Sequence, residues 1–206
     1  MDFTNALTAV SAGVRSVDPA RPLWGSGTVV FSAPDGAGSL ILTCAHLCRF
    51  SRDHVRVDCA AESAEAEAVD YDPGRDVGLL WVTPRYPLRA ARIVPVSWRP
   101  ERDQRLIGAG CSRGAGPTLS DDRLKCIHRP FRGMPGYDAL ECVGTPEYGR
   151  SGGGLFTLDG FLVGVAGLVN LTGHGGLYAT WESVHFLLTR NGLEVNDAGH
   201  ACLATP

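Results

Sequence analysis

Glu147-Tyr148-Gly149-Arg150-Ser151-Gly152-Gly153-Gly154-Leu155-Phe156 sets a serine among glycines and leads, through a short turn, into the apolar run Leu162-Val163-Gly164-Val165-Ala166. A serine hydroxyl becomes a nucleophile only on a tightly turned, exposed backbone whose neighbouring N–H groups can bind an oxyanion, and glycines permit such a turn. Alone, the stretch reads more readily as a plain glycine turn. Upstream, Thr43-Cys44-Ala45-His46 closes the apolar run Leu40-Ile41-Leu42, and Asp76 opens the run Val77-Gly78-Leu79-Leu80-Trp81-Val82. The chain therefore presents histidine, aspartate and serine in that order, each at the edge of an expected strand. That is one of the orders in which a hydrolytic triad is assembled.

Around these points the sequence is punctuated by 26 glycines and 13 prolines and shows little helical periodicity. Short runs rich in Val, Leu and Ile predict strands at 27–32, 40–43, 54–59, 65–71, 77–82, 104–108, 139–143, 154–157, 162–169 and 177–180. Turn signals such as Pro34-Asp35-Gly36, Asp72-Pro73-Gly74, Gly133-Met134-Pro135-Gly136, Leu158-Asp159-Gly160 and Gly173-His174-Gly175-Gly176 separate them. This is the pattern of an all-β barrel or sandwich. Residues 83–102, proline-interrupted and arginine-rich, read as a crossover between two strand groups. One helix stands out at 181–192, with Val184, Leu187 and Leu188 at core spacing and an Asn191-Gly192 stop. Residues 193–206 read as a flexible tail.

A chain of 206 residues with 44% hydrophobic content can bury a core as one unit or two subdomains sharing a cleft. The formal net charge of −3, with 19 scattered basic residues, excludes a general attraction to nucleic acid or anionic membrane. No basic, apolar leader and no span-length apolar run is found, so a soluble, cytoplasmic chain is expected. Seven scattered cysteines (Cys44, Cys48, Cys59, Cys111, Cys126, Cys142 and Cys202) are expected to be mostly free and buried.

Gly25-Ser26-Gly27-Thr28-Val29-Val30, Thr43-Cys44-Ala45-His46, the stretch from Tyr71 to Leu80, Gly149-Arg150-Ser151-Gly152-Gly153-Gly154-Leu155 and Leu158-Asp159-Gly160-Phe161-Leu162-Val163-Gly164-Val165 together resemble the trypsin-like (chymotrypsin-fold) serine proteases. Within that family the high-temperature-requirement type is the nearest in pattern, and the resemblance runs from about residue 22 to 192. It implies two six-stranded antiparallel β-barrels with a C-terminal helix. One protease domain would span 1–192, with a first barrel at about 22–96, a second at about 103–181 and the helix at 182–192. It also implies a serine endopeptidase in which His46 is the general base, Asp76 orients its imidazole and Ser151 is the nucleophile. The N–H groups of Gly149 and Ser151 would form the oxyanion hole, with no metal or organic cofactor and a polypeptide as substrate. Arg150 stands where relatives activated by cleavage carry an aspartate, so that mode of activation is not expected.

By the same resemblance, Thr145, Tyr148, Val165, Ala166, Gly167 and Leu168 would line the substrate pocket. Thr145 occupies the position whose acid gives trypsin its preference for basic side chains, which points to small or medium apolar residues before the scissile bond, unless Glu147 turns inward. Some residues admit competing readings. Asp70 and Asp72 rival Asp76, but Asp72-Pro73-Gly74 is a turn signature in which aspartate bonds its own backbone. Cys44-x-His46-x-Cys48 suggests zinc, but no second ligand pair at metal-site spacing is expected to follow it. His54, His128, His174, His185 and His200 read as structural or solvated. A catalytically silent binding or scaffold module, or a serine esterase, are the alternative functions.

Overall fold

In a computed structural model of the chain, residues 2–18, 22–50, 55–59, 62–131, 136–171 and 175–204 are described. The elements run α1 (Phe3–Val10), β1 (Ser11–Ser16), β2 (Trp24–Ser32), β3 (Ser39–Thr43), α2 (Ala45–Phe50), β4 (Val55–Cys59), β5 (Glu62–Asp72) and β6 (Val77–Val82) in the first half. In the second come β7 (Arg92–Ile93), β8 (Arg105–Cys111), β9 (Pro117–His128), β10 (Ala139–Cys142), β11 (Gly154–Phe156), β12 (Phe161–Asn170), β13 (Gly175–Thr180), α3 (Trp181–Arg190), β14 (Leu193–Val195) and β15 (Ala201–Leu203). Strands β1-β2-β3-β6-β5-β4 close into one antiparallel barrel. The order β11-β8-β9-β10-β13-β12 closes into a second through the β11–β12 pairing, with β7 added parallel to β12. The all-β class, the two barrels and the C-terminal helix are thus as expected.

Alternation explains the first barrel's lining. On β4, Val55, Val57 and Cys59 face inward between half-buried Arg56 and Asp58, the period of two that a strand imposes. Ile41 and Leu42 of β3 and Leu79 and Leu80 of β6 are all completely shielded from solvent, so these two strands are buried on both faces. In the second barrel Leu106, Leu140, Leu155 and Val163 pack with Trp181, whose ring meets Trp98 edge-on at 4.9 Å. Closure removes the exposed strand edges that an open sheet of this length would present.

α3 buries Trp181, Val184, Leu187 and Leu188, as its spacing predicts, and ends where Asn191 bonds the Leu187 carbonyl at 2.8 Å. It rests on both barrels. His185 Nε2 bonds the Val94 carbonyl at 2.8 Å, and Arg190 grips Asp70 of β5 with two bonds of 2.7 and 2.8 Å. Asp70 is thereby committed to a structural pair.

Three boundaries differ from expectation. The first barrel begins at Ser11, not near 22, because β1 bridges β2 and β4 and is needed to close the ring. The strand β9, from Pro117 to His128, has no counterpart among the expected strands, since its alternation is polar on both faces. Residues 193–203 form a hairpin rather than a tail: Leu193 is buried, and Ile93 N–H bonds the Gly199 carbonyl at 2.7 Å. His54, Gly133-Met134-Pro135 and Gly173-His174 lie outside the described residues.

Glu141 of β10 is the one buried acid of the second barrel wall among the described residues. Burial alone would push its carboxyl up, but hydrogen bonds from Lys125, His128 and Asn170 outweigh it and hold it at about 2 against an ordinary 4.5. A depressed folded-state value stabilises above the unfolded value and is lost as pH falls through the folded one. The contribution is up to about 3 kcal/mol. Denaturant titrations should therefore show the stability gap between wild type and Glu141→Gln narrowing between pH 4.5 and 2. A gap independent of pH would contradict this origin.

Candidate active site

His46 is the second residue of α2, and Asp76 sits in the turn that enters β6. Asp76 adopts φ 50°, a left-handed conformation uncommon outside glycine but tolerated by aspartate. That backbone turns its carboxylate inward, where it is 5% exposed. Both oxygens lie 3.0 Å from His46 Nδ1, and Oδ1 also accepts from the His46 backbone N–H at 3.1 Å. The imidazole is therefore fixed in position and in tautomer: Nδ1 carries the proton and Nε2 is the basic nitrogen. Asp72, the rival, accepts from the N–H of Arg75 in its own turn at 3.0 Å, as its sequence setting predicts.

Ser151 lies across the barrel interface, in a loop stitched to the first barrel by a residue whose role the sequence did not reveal. Ser26 of β2 is fully buried. Its N–H donates to the Ser151 carbonyl at 2.7 Å, and its Oγ accepts from Cys111 N–H and donates to the Gly149 carbonyl, both at 2.8 Å. A small hydroxyl between two glycines is the only signal that marked it.

The loop's peptide orientations matter most. Arg113 N–H holds the Tyr148 carbonyl at 2.9 Å, and Gly153 N–H holds the Arg150 carbonyl at 2.9 Å. In a planar trans peptide the N–H points opposite to the carbonyl. The N–H groups of Gly149 and Ser151 are thus turned the other way, and neither donates to another described group. Gly149 reaches this geometry at φ 95° and Gly152 at φ 87°. A Cβ on Gly152 would come within 2.1 Å of the Ser26 carbonyl, so no other residue fits. Arg150 folds back onto β8 and β9, bonding Ser112 Oγ at 3.1 Å and Thr118 Oγ1, and so pins the loop from its other side.

His46, Gly149 and Ser151 line one cavity of about 340 Å³ between the barrels. Of the expected pocket residues, Tyr148, Ala166, Gly167 and Leu168 line it. Thr145 is exposed and Val165 is buried in β12 between β11 and β13, and neither faces the cavity. Leu23, Trp24, Leu47, Pro146, Glu147 and Val169 complete the lining. A hollow of about 370 Å³ beyond Trp24 holds the Arg15–Asp58 ion pair and lies apart from His46.

Two features depart from a closed hydrolytic relay. Among the described residues no hydrogen bond joins His46 to Ser151. Instead His46 Nε2 lies 3.3 Å from Cys44 Sγ. Cys44 is not thereby a nucleophile. It is fully buried, and burial followed by the Asp76 charge pushes its thiol well up, so it stays protonated and out of substrate reach. All seven cysteines are free. Five are buried, as expected of most of them, while Cys126 is exposed because it projects from the polar strand β9.

Two closed six-stranded barrels with a histidine–aspartate pair and a glycine-set serine facing each other across the interface define a chymotrypsin-like peptidase architecture. The chain belongs to the trypsin-like peptidase domain family, whose sequence pattern matches residues 25–165, a span containing His46, Asp76 and Ser151. No curated protein matches it. Among solved structures it is similar to the Rv3671c protease from M. tuberculosis. The active form superposes with a TM-score of 0.76 at 24% identity, covering 97% of this chain and 88% of that one. The inactive form gives 0.72 at 25%, covering 91% of each. No helix among the described residues is long and apolar enough to cross a membrane.

Proposed function

We propose that the protein is a serine endopeptidase using His46, Asp76 and Ser151. The observation that supports this reading above others is the doubly bonded Asp76–His46 pair facing the cavity that Ser151 and two unengaged N–H groups share. In the proposed reaction Ser151 Oγ attacks the scissile carbonyl carbon as its proton passes to His46 Nε2. The oxyanion is received by the N–H groups of Gly149 and Ser151. His46 then protonates the leaving amine, and water, deprotonated by the same nitrogen, hydrolyses the acyl-enzyme ester. Asp76 stabilises the imidazolium in both halves.

This route requires Nε2 to leave Cys44 and meet Ser151, and hydrogen bonds of this kind commonly tighten only with substrate present. Cys44→Ala removes the competing partner. A weak neutral bond costs about 0.5–1.5 kcal/mol to break, so kcat/KM should rise about two- to tenfold. A loss of tenfold or more in steady-state assays would instead assign the thiol a part in proton transfer.

The cavity supports cleavage after small or medium apolar residues. Its walls are mainly Leu, Ala, Gly, Pro and aromatic side chains, and Glu147, the only acid among the described residues that line it, is exposed and so stays solvated. Rewarding a buried Lys or Arg needs a desolvated carboxylate. Burying the cation unpaired costs several kcal/mol, against about 1–3 for one methylene. Peptide-library profiling should show a shallow preference among Ala, Val and Leu and little turnover after Arg or Lys. Dominant cleavage after Arg would place Glu147 at the pocket base.

A further inference from the structure

We propose that Cys126, His128 and Glu141 form a binding site for a soft divalent cation of the zinc type on the wall of the second barrel. Cys126 and His128 project from the same face of β9, two residues apart, and Glu141 stands directly opposite Cys126 on β10. Cys126 Sγ lies 3.5 Å from His128 Nε2 and 3.6 Å from Glu141 Oε2, while Nε2 and Oε2 are in hydrogen-bond contact. Zinc bonds of about 2.0–2.3 Å in tetrahedral array separate ligand atoms by about 3.3–3.6 Å. Both sulfur distances already match. A cation replacing the proton shared by Nε2 and Oε2 needs only that pair to open.

The surroundings suit such a site. A β-bulge after Glu141 leaves Lys125 without a partner in the ladder, and its Nζ reaches Glu141 Oε1 at 2.8 Å. Asn170 Nδ2 bonds the same oxygen at 3.2 Å. Oε1 is therefore held, and Oε2 is the oxygen presented towards the thiol and imidazole, as outer-shell partners of metal carboxylates do. Phe131 packs edge-on against the His128 ring at 5.0 Å and fixes its plane. Lys125, Asn170 and His128 suffice to satisfy a buried carboxylate. They do not account for a solvent-accessible thiol placed where its sulfur meets both the imidazole nitrogen and the free oxygen.

The other Cys-x-His pair has the wrong geometry. At Cys44 and His46 the thiol meets Nε2 while Asp76 holds Nδ1, on opposite edges of the ring, so one ion cannot use all three through one nitrogen. Cys126-Ile127-His128 is a second Cys-x-His pair, contrary to the expectation that none follows the first. On binding, the Cys126 thiol loses its proton to solvent and becomes the thiolate ligand, so affinity falls with falling pH. A fourth position remains for water.

Cobalt(II) titration of the full chain under metal-free reducing conditions tests this. One equivalent should bind with a thiolate-to-cobalt charge-transfer band, be displaced by zinc, and raise the thermal midpoint. Cys126→Ser should abolish the band, and His128→Ala should weaken binding tenfold or more. His46→Ala should change neither. The proposal is overturned if nothing saturates below about 1 mM, if the band survives Cys126→Ser, or if binding is lost only in His46→Ala. Because the readout is spectroscopic and independent of turnover, its failure and that of the peptidase reading are separate results.

Discussion

Replacing Ser151 by alanine should abolish peptide cleavage while leaving the fold unchanged. The side chain of Ser151 makes no hydrogen bond with a described group. Its structural duty, accepting from Ser26 N–H at 2.7 Å, is carried by the backbone carbonyl, which alanine keeps. Without the hydroxyl no acyl-enzyme can form, and only binding and oxyanion stabilisation are left. Loss of a serine nucleophile of this kind lowers kcat by about 10⁶. Stoichiometric labelling by a fluorophosphonate should vanish in the variant, with the thermal midpoint within a few degrees of wild type. A wild-type chain that neither cleaves any peptide library nor labels would favour the silent scaffold reading. Turnover of simple esters without peptides would favour the esterase. A Ser151→Ala chain that keeps cleaving would remove Ser151 from the mechanism.

Asp76→Asn should be nearly as severe, with a different signature. The amide is isosteric, but it offers Nδ1 an N–H donor as readily as an acceptor. The ring can then be held with its proton on Nε2, the nitrogen that must be free to accept. A cost of about 10⁴ in kcat is expected, with KM little changed, because the wrong tautomer disables the base while leaving the substrate cleft intact. In Asp76→Asn, activity that survives should depend on hydroxide and rise at high pH. A near-normal Asp76→Asn rate would contradict the role given to this pair. Asp70→Asn is the matched control. Its carboxylate is committed to Arg190 and Asn191, so stability should change and kcat should not.

What the amino-acid order determined by itself was local in origin. Glycine at 149 and 152 states a backbone conformation, because no other side chain fits the φ values and close approaches found there. The apolar runs of β3, β6 and β12 declare buried strands, and the helical spacing of Trp181, Val184, Leu187 and Leu188 declares one buried helix face. Asp72 in a Pro-Gly turn was legible as a turn residue for the same reason.

The tertiary structure alone decided whatever depends on partners distant in the chain. β1 and β9 carry too many polar residues to announce themselves, and become strands because the neighbours that close each barrel supply their hydrogen bonds. Leu193 and Gly199 are ordered by contacts with α3 and β7, which no local pattern encodes. Ser26 acquires its role only when folding brings it against Gly149, 123 residues away. Glu141 meets the His128 imidazole only through the register of β10 on β9, a relation between segments that single residues do not carry.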